Sequence, residues 1–249
     1  MKMNDGFTNE TELRDYINNN NWDTYNQNIK NLLEFLFGDK LVTGKSFIAE
    51  KCVGQVKPDL VVTHNNSKKY ISIKKGSGNS VHQEKISVFF PFIEGLFGKK
   101  ALNNLKLFHY GDDTIDDTGK IRYSASECQK KYKNEITELN KLFNEWQYLK
   151  QFLDRFIFIG NVSSTLITDI IYHGNISSGI WASRDELYSY FKENSFTSST
   201  LHFASLTYQV WGRNKDFTAV HPDRRYVMQV KWGGILNDLY AIKVVRDNE

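Results

Sequence analysis

The stretch KPDLVVTHNNSKKYISIKKGSGNSVHQE, residues 57–84, carries Asp59, Ser72, Lys74 and Glu84. Two carboxylates gathered with a lysine suit metal-assisted hydrolysis of a phosphodiester. Acidic oxygens hold a hard cation such as Mg²⁺, which keeps several waters and accepts phosphate oxygens. A lysine beside them orients or helps deprotonate an attacking water and offsets the developing negative charge. That chemistry requires local structure to bring these residues to one place.

The segment supplies a plausible frame. KPDLVV, the polar turn THNNSKK and the β-branched run YISIKK form a hairpin signal. Antiparallel pairing would carry Asp59, at the start of one strand, and Lys74, near the end of the next, to the same end of the hairpin. Side chains alternate along a strand, so Ser72 and Lys74 share one side while Ile71 and Ile73 take the other and pack into a core. After the turn GSGNS, Ser80 followed by Gln83 fits a capping box. The spacing therefore predicts a helix from Val81, with Glu84 in its first turn and able to point back toward the strand ends.

These residues resemble the PD-(D/E)xK nucleases, which include many type II restriction endonucleases. The common pattern has an acid two residues before the lysine, where this chain has Ser72. A subgroup of restriction enzymes carries serine there and draws the missing carboxylate from the following helix, and Glu84 matches that migrated acid by type and placement. The resemblance implies that Asp59 and Glu84 are metal ligands for Mg²⁺, that Lys74 is the catalytic lysine, and that Ser72 occupies the vacated acid position. An upstream glutamate often joins such sites. Glu50, in FIAEKCVG, or Glu34, in the preceding helix, would fill that place, with Glu50 preferred. The implied activity is Mg²⁺-dependent cleavage of double-stranded DNA by a type II restriction enzyme acting as a homodimer, with a cognate DNA methyltransferase encoded nearby. The alternatives are a repair or junction-resolving nuclease and a catalytically silent nucleic-acid-binding protein, in which serine at position 72 marks lost activity rather than a migrated acid.

Other patterns carry less. HPDRRYVMQVK, residues 221–231, is a second Pro-Asp followed by Gln-Val-Lys, but five residues between Asp223 and Gln229 leave no room for two strands and a turn. It reads as one strand with a basic entry. The Gly76–Ser80 turn lacks the lysine spacing of a P-loop. GDDTIDDTG, with Asp112, Asp113, Asp116 and Asp117, departs from EF-hand spacing and reads as a solvated acidic loop. The six histidines show no metal-ligand spacing. Arg213, Lys215, Arg224, Arg225 and Lys231 cluster in the C-terminal part, where cations could neutralise phosphates and Arg could read base edges. Trp211 and Trp232 read as core or interface residues.

The frame around these residues is that of a mixed protein. Residues 9–19 and 27–37 read as helices, with Gly38 a stop; residues 124–155 read as one long amphipathic helix that packs on a sheet or pairs with a second subunit. RFIFIG, ITDIIYHG, HFASLTYQVWG and RRYVMQVKWG read as strands, with SRDELYSYFKEN a helix among them. The expected fold class is α/β (α+β): a restriction-endonuclease-like core with a mixed central sheet flanked by helices. A single domain spans residues 1–249, with the nuclease core over 30–110 and an elaborated C-terminal half over 124–249 for DNA recognition or dimerisation. The chain of 249 residues, 40% hydrophobic, has no long apolar run and begins without a secretory pattern, which points to a soluble cytoplasmic protein. Cys52 and Cys128 match no zinc spacing and read as free thiols. A net charge of +3 permits a polyanionic partner without requiring one.

Overall fold

Asn65 and Asn66, with φ of 47° and 63°, turn the chain through the left-handed conformation that a two-residue hairpin loop requires and asparagine tolerates. They join β2 (Leu60–His64) to β3 (Ser67–Lys74), paired antiparallel with His64 opposite Ser67 and Leu60 opposite Ile71. The expected hairpin is therefore present in this computed structural model, which describes residues 5–76, 80–161, 166–213 and 220–248. The chain divides into two compact units, each assembled from separate stretches.

The first unit comprises Met1–Asn79, Leu153–Glu193 and Gly234–Glu249. Its sheet runs β1 (Ile48–Lys51), β2, β3, β5 (Ile170–Gly174), β6 (Gly179–Ser183). All pairs are antiparallel except β3 with β5, which makes the sheet mixed. Helices α1 (Asp5–Asn19) and α2 (Gln27–Phe37) supply the apolar cover. Leu13 and Ile17 from the first, and Ile29, Leu32 and Leu33 from the second, join Leu60, Val62 and Ile71 in one buried cluster. Asn26 caps α2 by accepting from the Ile29 amide at 2.9 Å, and Gly38, at φ 46°, stops it as expected. Helices α7 (Arg184–Glu193) and α8 (Ile235–Arg246) complete this unit. RFIFIG is not a strand: its apolar run continues helically through Asp154–Phe158, the ambiguity inherent in a short all-apolar run.

The second unit comprises Ser80–Phe152 and Asn194–Gly233. Its antiparallel sheet runs β4 (Ser80–Lys85), β9 (Val227–Lys231), β8 (Leu206–Val210), β7 (His202–Phe203). The helix predicted from Val81 is thus corrected to a strand, because β9 offers a ladder with Glu84 opposite Met228 that a local capping signal does not outweigh. The helix begins later, as α3 (Ile86–Tyr110), broken at Gly98 where φ is 78°. It ends at Gly111, at φ 61°; a Cβ there would lie 2.6 Å from the Arg213 guanidinium and 2.7 Å from the Cys128 sulfur, so only glycine fits.

The helix expected over 124–155 is three: α4 (Ala125–Lys131), capped by a Ser124–Glu127 box, α5 (Lys133–Phe143) and α6 (Trp146–Leu153). Its apolar stripe packs within the chain, with Ile136, Leu139 and Phe143 buried and the Phe143 ring stacked on Phe203 at 5.0 Å. Trp232 is buried in the core.

The acidic loop is structural rather than simply solvated. Asp117, its side chain 7% exposed, forms ion pairs with both Arg122 and Arg225 and accepts from the Tyr226 hydroxyl at 2.8 Å. Asp112 accepts from the Thr114 and Gly119 amides, each at 3.0 Å. Nearby, buried His109 bridges Tyr208 and the chain at Arg225. A carbonyl only accepts, so Nε2 donates to the Arg225 oxygen at 2.7 Å and Nδ1 accepts from the Tyr208 hydroxyl at 2.6 Å.

Burial pushes the His109 pKa down from 6.5 to about 3. The folded value lies below the unfolded one, so the stabilisation is complete above pH 6.5 and is lost as pH falls from there toward 3. Urea unfolding between pH 7 and 5 is expected to show wild type losing up to about 1.4 kcal/mol per pH unit more than His109→Gln in the lower part of that range. Parallel curves for the two proteins would contradict this role.

Candidate active site

Asp59 stands where β2 begins, and the ladder holds it: its amide donates to the Ile71 carbonyl at 2.8 Å, and its carbonyl accepts from the Cys52 amide at 3.0 Å. Its Oδ2 accepts from the Ile73 amide at 2.6 Å and from the Ser72 hydroxyl at 3.1 Å. Lys74 Nζ donates to Ser72 Oγ at 2.8 Å and lies 3.7 Å from Asp59 Oδ2. Asp59, Ser72 and Lys74 therefore form one linked group at one end of the hairpin. The serine hydroxyl has a definite job, accepting from the lysine and donating to the aspartate. Ser72 is buried, while Asp59 and Lys74 remain partly open to solvent. On the far side of β3, Lys74 is paired in register with His173 of β5, whose Nε2 lies 3.0 Å from the Gly76 carbonyl.

A further acid reaches this end of the sheet, and nothing in its local sequence announced it. Glu10, on α1, pairs with Lys51 of β1 at 3.4 Å. Its pKa is raised, first by burial and then by the negative charge of Asp59, with Lys51 and Lys74 acting in the opposite sense. The Cys52 thiol, pushed up to about 11 by burial and then by Asp59, senses the same carboxylate. Helix α1 is pinned at both ends. The Asn9 side-chain Nδ2 donates to the Gly174 carbonyl at 2.8 Å. The Asn18 amide group clasps the backbone of Ala49, donating to its carbonyl at 2.9 Å and accepting from its N–H at 2.8 Å. These contacts set the position of Glu10.

The other expected acids stand differently. Glu84 lies on a strand of the second unit, buried, with His82 Nε2 at 2.8 Å from its carboxylate. Glu50 sits on β1 opposite Val61, on the sheet side that alternation gives to Asp59 and Ser72, but it is exposed and its side chain forms no hydrogen bond or ion pair among the described residues. Glu34 is exposed on α2.

The basic cluster is divided in its roles. Arg213 is turned inward, donating to the Phe108 carbonyl at 2.6 Å and the Cys128 sulfur at 2.9 Å, with burial lowering its pKa. Arg225 is held by Asp117. Both are therefore engaged in packing the second unit. Arg224 lies over the Trp211 ring at 4.2 Å, and Lys231 is half-buried on β9. Lys215 falls outside the described residues.

Among the described residues no group of three or more His, Cys, Asp or Glu side chains is placed to hold a metal. Asp59 and Glu10 offer two carboxylates at one sheet end. Mg²⁺ is commonly bound by one or two carboxylates together with waters and substrate phosphates, so this hard-oxygen pair fits that ion.

A mixed α/β architecture with helix-flanked sheets and this topology defines a restriction-endonuclease-like fold. Among solved structures, the chain is similar to the restriction endonuclease MspI, crystallised in complex with its cognate DNA. The match covers 89% of this chain and 83% of that one, with a TM-score of 0.54 and 14% identity. No family model and no curated protein sequence matches the chain. No helix among the described residues is long and apolar enough to cross a membrane.

Asn18→Ala removes both hydrogen bonds that fasten α1 to β1. It is expected to lower the unfolding free energy by roughly 1–3 kcal/mol, since the Ala49 groups lose their partners. Urea denaturation at neutral pH checks it, and an unchanged midpoint would refute the clasp.

Proposed function

We propose that this protein is a Mg²⁺-dependent DNA endonuclease of the type II restriction class, hydrolysing phosphodiester bonds by attack of water. The observation that carries the proposal is the linked Asp59–Ser72–Lys74 group on a restriction-endonuclease-like fold. Asp59 and Glu10 are the proposed metal-binding carboxylates. Asp59 Oδ2 is occupied by the Ile73 and Ser72 donors, which leaves Oδ1 as the oxygen for a cation. When bound, Mg²⁺ would polarise the scissile phosphate and acidify a coordinated water. Lys74, steered by Ser72, orients the attacking water and offsets charge building on the phosphate. Ser72 thereby supports the lysine from the position where related enzymes carry an acid. Glu84, the acid expected from the sequence, lies 2.8 Å from His82 Nε2 and is kept as the alternative second ligand.

Arg224, Lys231 and Lys215 are the proposed contacts to the DNA backbone. The MspI structure, in complex with its cognate DNA, supports DNA as the substrate class. A restriction role further implies a companion methyltransferase that protects host sites, and a two-fold dimer would cut both strands. A second reading, a catalytically silent DNA-binding protein, draws on the absence of a three-acid cluster among the described residues.

Cleavage of unmethylated plasmid and phage DNA, with Mg²⁺ or with EDTA, decides between them. Discrete fragments that require Mg²⁺ are expected. Asp59→Asn, Lys74→Ala and Glu10→Gln should each slow cutting by about 10²-fold or more, as for loss of a charge-stabilising group. Glu50→Gln and Glu84→Gln should stay within about tenfold of wild type. DNA that binds but stays intact across several substrates and divalent metals would favour the silent reading. Loss of cutting in Glu84→Gln, with full cutting in Glu10→Gln, would return the second carboxylate to Glu84.

A further inference from the structure

The second unit contains a cavity of about 640 Å³ lined by both halves of α3, from its first residues to Tyr110, within the size range of small-ligand sites. Three kinds of chemistry line it. Phe90, Tyr110 and Tyr226 give it aromatic walls. Lys85 and Lys106 bring two ammonium groups, and the Lys106 nitrogen lies 6.0 Å from the Phe90 ring centre. Glu94 and Asp223 add hydrogen-bond acceptors.

The helix end strengthens the cationic side. Lys85 stands at the N-cap without a side-chain capping bond, and no acid occupies the first turn, so the first amides of α3 and the helix dipole present positive charge where Ile86 and Ser87 meet the cavity. An anion is favoured at that end. Aromatic faces favour a flat π-system, and carboxylates accept from exocyclic amino or ring N–H groups. One ligand class combines all three features, a nucleobase carrying its phosphate.

The wall is also built in advance. Tyr226 donates to Asp117, which is ion-paired with Arg122 and Arg225, and His109 holds the Arg225 carbonyl. A ring fixed in this way offers a stacking surface with little ordering cost.

We propose that this cavity is a nucleotide-binding pocket, with the base against Phe90, Tyr110 and Tyr226 and the phosphate toward Lys85, Lys106 and the start of α3. The nucleotide is either one extruded from bound DNA or a free nucleotide. The first source rests on the endonuclease reading above; the pocket itself does not.

The test titrates the four deoxynucleoside 5′-monophosphates into the full chain, followed by saturation-transfer NMR and calorimetry. Binding is expected for at least one of them, weakened tenfold or more in Lys106→Ala and in Tyr226→Ala and retained in Tyr226→Phe, which keeps the ring. Circular dichroism and melting of each variant confirm that it is folded. No binding up to several millimolar, or binding indifferent to both alanine variants, would overturn the pocket. Duplexes carrying 2-aminopurine at successive positions separate the sources. A fluorescence rise on protein binding that Tyr226→Ala abolishes supports extrusion, whereas monophosphate binding without any rise supports a free nucleotide. Cleavage assayed alongside keeps the two proposals apart. Cut DNA without nucleotide binding sinks the pocket and leaves the nuclease, and nucleotide binding without cutting does the reverse.

Discussion

Strand β3 is held on both edges, antiparallel to β2 and parallel to β5, and the chemistry of the first unit depends on that double pairing. A strand fixed on both sides cannot slip, and a slip of one residue would turn Ser72 and Lys74 to the opposite face and Ile71 and Ile73 out of the core. Asp59 reads the same register through its own side chain, since the Ile73 amide that it captures belongs to β3. The carboxylate is thus both a chemical group and a latch between neighbouring strands. Its two roles do not compete, because one oxygen serves the latch and the other stays available.

The second unit solves a comparable problem with charge. Asp117 gathers two arginines and a tyrosine hydroxyl in a place mostly closed to water, where an unpaired carboxylate would be costly. Arg213 plays the apolar counterpart, spreading its guanidinium over the Phe108 ring at 5.0 Å while its nitrogens reach a carbonyl and a sulfur. Two of the cationic side chains that look in sequence like a nucleic-acid surface, Arg213 and Arg225, are here spent on holding loops to helices.

What the sequence revealed and what it concealed divide along a physical line. The Asn65–Asn66 hairpin, the stop of α2 at Gly38, and the meeting of Asp59, Ser72 and Lys74 are short-range matters, set by turn chemistry and strand alternation within one helix end or one hairpin. The strand at Ser80–Lys85 was not legible, because its partner lies near residue 230 and a local capping pattern spoke for a helix. Glu10 was not legible either. A glutamate on a helix has no signature of its own, and its standing comes from two asparagine clasps to strands distant in sequence. RFIFIG failed for a third reason, an apolar run with no period to choose between helix and strand.

The pairing of β3 with β5 also has a consequence for the order in which the molecule is made. Residue 71 finds its parallel partner at residue 170, after the whole of one stretch of the second unit has been synthesised between them. A nascent chain that has emerged only as far as α6 carries the hairpin with one side of β3 unfilled, displaying the backbone beside Ile71 and Ile73. Such an edge recruits any extended strand that meets it. High contact order slows closure further. The central strand that makes the finished protein chemically exact is therefore, during synthesis, its most adhesive surface.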